Sequence, residues 1–176
     1  MKKNPNIIKL VFVLGIIVLF AVLRIFIQIP NVTPIAAIAL FGGTMIKRKE
    51  LALILPLSIL FISDLFIGTY SVFLMGFVYG AFILIGMIGF ILRKSMKMHR
   101  VIGASLLASV VFFIVSNLGF WAQGLMYPVS WVGLVECYTM AIPFFKYEII
   151  GTLAFSLFFF GSYELSARRL PVLKLA

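Results

Sequence analysis

The sequence predicts an all-α, polytopic membrane protein, and three observations carry that reading. The 176 residues are 64% hydrophobic and only 11% charged, with a mean hydropathy of +1.21. A soluble domain of this size has too little interior to hide so much apolar surface. The apolar residues fall into six runs separated by polar connections. Finally, thirteen of the fifteen Lys and Arg residues lie at the N-terminus, in every second connection or at the C-terminus. Basic residues in short loops stay on the cytoplasmic side. The pattern therefore predicts six transmembrane helices with both termini cytoplasmic.

A span takes about 20 apolar residues, fewer where neighbours bury the helix. The first segment, residues 7–29, leads outward. Lys2 and Lys3 before an apolar run resemble a signal peptide, but Arg24-Ile25-Phe26 stands in place of a small-x-small cleavage site, so the segment reads as a retained helix. Pro30-Asn31-Val32-Thr33-Pro34 turns the chain, because residues before proline favour extended geometry and Asn31 or Thr33 can cap the second helix. The second segment, 35–46, is short, rich in small residues, and ends at Lys47-Arg48-Lys49-Glu50. The third, 51–67, contains Pro56 and carries Asp64 near its outer end; the fourth, 72–92, ends at Arg93-Lys94. The fifth covers 101–121. Residues 122–145 hold Pro128, Trp131, Glu136, Cys137 and Pro143, and read as a long outward loop, half-inserted or lid-like. The sixth segment, 147–165, ends at Arg168-Arg169. Counting 131–144 as a seventh span would turn those arginines outward, against the basic-loop rule. The whole is one integral membrane domain without repeat or linker.

Small residues recur four apart at Ala39 and Gly43, Gly76 and Gly80, Ala104 and Ala108, and Ser105 and Ser109. In lipid such pairs let helix backbones approach closely. Most read as internal packing. The second segment, with Ala36, Ala39 and Gly43, is the candidate face for a partner helix.

Composition also excludes function classes. A net charge of +10 would suggest nucleic acid in a soluble protein, but here the basic residues flank apolar runs and read as topology and inner-leaflet anchoring. Nucleic acid is not an expected partner; the lipid bilayer is. One cysteine, Cys137, and one histidine, His99, leave no basis for an intrachain disulfide or a metal centre. No Ser-His-Asp set, phosphate loop, catalytic carboxylate pair or HExxH is present, so neither an enzyme nor a bound cofactor is expected.

Function is expected among the few charges away from the basic side: Arg24, Asp64, Glu136, Lys146 and Glu148. An ionisable group at membrane depth faces a cavity or a partner. Arg24 and Asp64 are therefore polar anchors for a ligand, or a structural pair that answers each other's desolvation. Around the outward loop, Asn117, Trp121, Gln123, Tyr127, Trp131, Glu136, Tyr138, Lys146 and Glu148 combine rings with amide and charged groups, as a heterocyclic ligand requires. Asn31 and Tyr79 are further candidates. Cys137 is a free buried thiol or a soft ligand for a metal-containing substrate.

The run Asn31-Val32-Thr33-Pro34-Ile35-Ala36-Ala37-Ile38-Ala39-Leu40-Phe41-Gly42-Gly43 resembles the signature of a family of small bacterial membrane proteins. Ser63-Asp64-Leu65, Val78-Tyr79-Gly80, Ser116-Asn117-Leu118-Gly119-Phe120-Trp121, Tyr127-Pro128 and Cys137 to Phe145 extend the resemblance over roughly residues 24–161. That family is related to the substrate-binding S components of energy-coupling factor (ECF) vitamin transporters. The resemblance implies an S-component-like bundle in the bacterial inner membrane, with a pocket near the outer face closed by loops. It also implies a small-molecule nutrient, a vitamin or related heterocycle with cobalamin among the candidates, and a transmembrane coupling subunit with ATPases as partner. A non-transporting membrane scaffold with a structural Arg24–Asp64 pair is the alternative.

Overall fold

The computed structural model describes residues 5–26 and 32–169. They form six helices: α1 (Pro5–Phe26), α2 (Ile35–Met45), α3 (Lys49–Ile67), α4 (Val72–Leu92), α5 (Met98–Ala122) and α6 (Trp131–Arg169). No strand occurs among the described residues. Helices α3, α4, α5 and α6 are each long and apolar enough to cross a bilayer. The chain is all-helical and compatible with a multi-pass membrane protein, as its hydropathy predicts.

Helix α2 is the centre of the bundle. Its eleven residues carry no polar side chain before Thr44, and Ile35 to Thr44 are all buried. A helix apolar on every side has no face to offer water and packs inside. α2 touches each of the five other helices. Eleven residues reach about 16 Å at the helical rise, roughly half the hydrocarbon thickness. Ala36, Ala39 and Gly43, expected as a docking face for a partner helix, are covered by the chain's own helices instead. The small side chains serve internal approach. A Cβ at Gly43 would run into the Gly86 carbonyl of α4, and one at Gly89 would lie 2.5 Å from the Leu40 carbonyl oxygen. By contrast, a Cβ at Gly76 or Gly80, the pair expected on α4, would meet nothing within 4 Å.

The end of α2 is fastened by Arg93, just past α4. Its Nε donates to the Gly43 carbonyl (2.8 Å), Nη2 to Ile46 (2.7 Å) and Nη1 to Lys47 (3.2 Å). These carbonyls belong to the last turn of α2 and the residues after it, where helical partners run out, and a cation there also suits the helix dipole. The basic α2–α3 and α4–α5 connections thus sit together at one end of the bundle.

Two prolines lie inside helices. Pro56 is buried within α3 and Pro143 is exposed within α6. Each removes one helical hydrogen bond, a loss that membrane helices tolerate where the freed groups are re-satisfied. Pro143 corrects the sequence reading of 122–145 as one loop. Only 123–130 is irregular; from Trp131 the chain is helical straight through to Arg169. Ser130 supplies the start, its Oγ accepting from the Gly133 amide at 3.2 Å as an N-cap. The resulting 39-residue helix is about 58 Å long at the helical rise, nearly twice the hydrocarbon thickness.

Candidate functional site

Two groups of polar side chains lie at the bundle end remote from the basic connections. The first joins α1, α3 and α4. Asp64, in the last turn of α3, is 2% exposed, and Arg24, in the last turn of α1, is 16% exposed. Arg24 Nη1 donates to Asp64 Oδ1 at 2.7 Å and also to Ser63 Oγ. The Tyr79 hydroxyl donates to Asp64 Oδ2 at 2.8 Å. Both carboxylate oxygens are engaged, which is what a buried charge requires. Tyr70, in the α3–α4 connection, is pushed up to about 12, first by burial and then by the Asp64 charge. Its phenol stays protonated near neutral pH.

The second group surrounds a cavity of about 450 Å³ between α5 and α6. That volume lies within the range of small-molecule sites. Six rings line it: Phe112, Phe113 and Phe120 from α5, Tyr127 from the connection, and Phe144 and Phe145 from α6. Phe113 and Phe145 hold the two helices together, with ring centroids 4.5 Å apart. The polar lining groups are Ser116, Asn117, Cys137 and Glu148. Ser116 Oγ donates to the Phe112 carbonyl at 2.6 Å, and Asn117 Nδ2 to the Phe113 carbonyl at 2.7 Å. Both bonds run back along α5, which turns these donors away from a ligand. Cys137 is buried, its Sγ 3.7 Å from the Asn117 carbonyl oxygen. Glu148 is 7% exposed, and its Oε1 accepts from Thr152 Oγ1 at 2.8 Å.

Of the residues the sequence singles out, Asn117, Tyr127 and Cys137 line this one cavity. Trp121 and Tyr138 support it without lining it. The indole Nε1 of Trp121 donates to the Pro128 carbonyl at 3.1 Å and pins the α5–α6 connection. The Tyr138 hydroxyl donates to the Ile114 carbonyl at 2.6 Å, and its ring packs edge-on against Phe113. Glu136 is exposed and does not line the cavity. Arg24, Asp64 and Tyr79 hold one another and do not line it either. Asn31 lies outside the described residues. Glu148, which the sequence reading named among the charged groups around the outward loop without assigning it to the ligand, also lines the cavity. Its signal was an acid inside an apolar run, partly masked by Lys146 two positions earlier. Among the described residues, no three His, Cys, Asp or Glu side chains gather to hold a metal ion.

Comparison with curated proteins and with solved structures finds no match. A family model does match, over residues 4–173 and thus nearly the whole chain: the chain belongs to DUF6580, a family of unknown function.

Proposed function

We propose that the chain is a membrane-embedded substrate-binding protein, S-component-like, that takes up a small ring-bearing nutrient. The observation that carries this reading is the α5–α6 cavity, with six rings and a buried carboxylate between two membrane helices. Ring stacking on a planar ligand adds about 0.5–1.5 kcal/mol per well-placed pair beyond burial. The nutrient would be a vitamin or related heterocycle. The sequence carries no phosphate-binding loop, so any ATP-driven step would belong to a separate coupling subunit with its ATPases. Native mass spectrometry of the gently purified protein tests the reading. A small molecule should accompany the wild type and be absent from Ala141→Trp, in which an indole fills the cavity. A molecule retained equally by a folded Ala141→Trp, or none in the wild type, overturns it.

The topology belongs to the same proposal: six segments in the bacterial inner membrane, both termini cytoplasmic, with the cavity near the outer face. The support is the one-sided placement of basic residues. In a Cys137→Ser background, Lys47→Cys and Lys94→Cys should label only from the cytoplasm, and Gln123→Cys only from outside. Outside labelling of Lys94→Cys would overturn the orientation.

One observation favours the scaffold alternative. Arg24 and Asp64 satisfy each other, as a purely structural pair would. The burial of Ala36, Ala39 and Gly43 removes the docking face that alternative also used.

A further inference from the structure

We infer that the α5–α6 cavity takes an organic cation, a protonated or quaternary amine whose charge is met by Glu148 and whose body lies among the rings. The inference rests on the reading of this cavity as the ligand site and names the class of ligand it selects.

The two buried acids of the bundle are treated differently. Asp64 has Arg24 and Tyr79 on its two oxygens. Glu148 is 7% exposed and, among the described residues, has the Thr152 hydroxyl alone as a hydrogen-bond partner, from one turn along its own helix, on Oε1. No ion pair reaches Glu148 among the described residues. Lys146, the nearest cation in sequence, is exposed and holds its Nζ 4.9 Å from the Tyr147 ring centroid. A carboxylate at membrane depth is costly unless a partner compensates it. Glu148 lines the cavity, so the compensating partner can come from a ligand.

The rest of the lining agrees. The Ser116 hydroxyl and one of the two Asn117 N–H groups are committed to carbonyls of α5. The Asn117 amide must turn its nitrogen to the Phe113 carbonyl, which leaves its side-chain oxygen as an acceptor. The Cys137 thiol is directed at the Asn117 carbonyl. Tyr127 keeps the one lining hydroxyl with no hydrogen-bond partner among the described residues. A cavity rich in acceptors and poor in donors suits a ligand that donates or carries positive charge. Ring faces are also the negative side of the aromatic quadrupole, and groups of rings recognise quaternary ammonium in this way. An anion would meet the Glu148 carboxylate and ring faces together, with no cation to offset them.

The test uses the full-length protein in nanodiscs of zwitterionic lipid and three probes of similar shape. They are benzyltrimethylammonium, its neutral carbon isostere neopentylbenzene, and benzylsulfonate. Binding is read as a change in the thermal unfolding midpoint and by titration, relative to Ala141→Trp, which corrects for partition into lipid. The expected result is that the cation binds the wild type at least about tenfold more tightly than its isostere, a clear step on the affinity scale. Benzylsulfonate should not bind. Glu148→Gln, which keeps the acceptor for Thr152, should bring cation and isostere within about threefold of each other. Equal wild-type affinities for cation and isostere overturn the inference without any variant having to fold. If both are lost in Ala141→Trp, the cavity is a ligand site blind to charge, and the proposed function survives alone. Binding of the probes untouched by Ala141→Trp, or no binding at all, overturns the inference; untouched binding also removes the cavity as the site.

Discussion

Gly43→Ala is expected to cost about 3 kcal/mol or more, above the common range for an overpacked core. The added methyl would clash with the Gly86 carbonyl oxygen and lie 3.0 and 3.2 Å from the Gly86 carbonyl carbon and Cα. These are backbone atoms within α4, so no rotamer change can clear them. The two helices would have to separate, and α2 has all five neighbours packed around it. Arg93 adds to the cost, because it clasps the Gly43 carbonyl and would be displaced with it. The measurement is denaturant unfolding of detergent-purified protein, with Gly76→Ala as control. A methyl at Gly76 meets nothing within 4 Å. Alanine also has the higher helix propensity, so the control should fall within about 0.5 kcal/mol of wild type. Equal midpoints for the two variants would show that α2 and α4 do not cross this closely.

The contrast between these glycines shows what the sequence made legible. Spacing marks which residues are small, but not which of them faces another helix. Gly76 and Gly80 have the expected spacing of four, yet a Cβ at either would meet nothing within 4 Å, whereas the close crossing uses Gly43 against Gly86 and Gly89. Burial of α2 was readable in its lack of a polar face, yet its apolar composition suggested an external docking surface as readily as an internal one. In a membrane both surroundings are apolar, so hydropathy does not separate lipid from protein. Helix α6 failed for a different reason. Pro128 and Pro143 bracket a stretch with Glu136, close to Lys146, and proline usually ends a helix in water. The cap at Ser130 and the tolerance of membrane helices for proline carried the helix through.

The site was legible where polarity conflicted with its surroundings. Asn117 inside an apolar helix, and the rings beyond it, marked the face of α5 that borders the cavity. What the sequence concealed was the division of labour among charges. Arg24 and Asp64 are 40 positions apart, and the cost of burying either one alone suggested both a mutual pair and a ligand contact. Trp121 and Tyr138 had the right chemistry but used their polar atoms on backbone carbonyls. Such local commitments arise from tertiary approach and leave no mark in composition.

The Arg24–Asp64 pair yields the second large effect. Arg24→Gln should cost about 3–5 kcal/mol, the usual result of leaving a buried charge without its partner. Asp64 is 2% exposed and, among the described residues, would retain the Tyr79 hydroxyl alone. Asp64→Asn should cost less, about 2–3 kcal/mol by the same reasoning, because Arg24 is 16% exposed and its long side chain can move its charge toward the interface. The double variant removes both charges and leaves two amides able to bond each other. Its cost should fall below the sum of the singles by about 2 kcal/mol, the coupling a contacting pair shows in a double-mutant cycle. Denaturant unfolding of the four purified proteins measures this, and native mass spectrometry of the same samples asks whether the co-purifying molecule stays bound. A stable double variant that keeps the molecule makes the pair a clamp on the ends of α1 and α3. A stable double variant that loses it would return Arg24 or Asp64 to the ligand. Strictly additive singles would mean that the two side chains do not depend on each other, against the 2.7 Å contact between them.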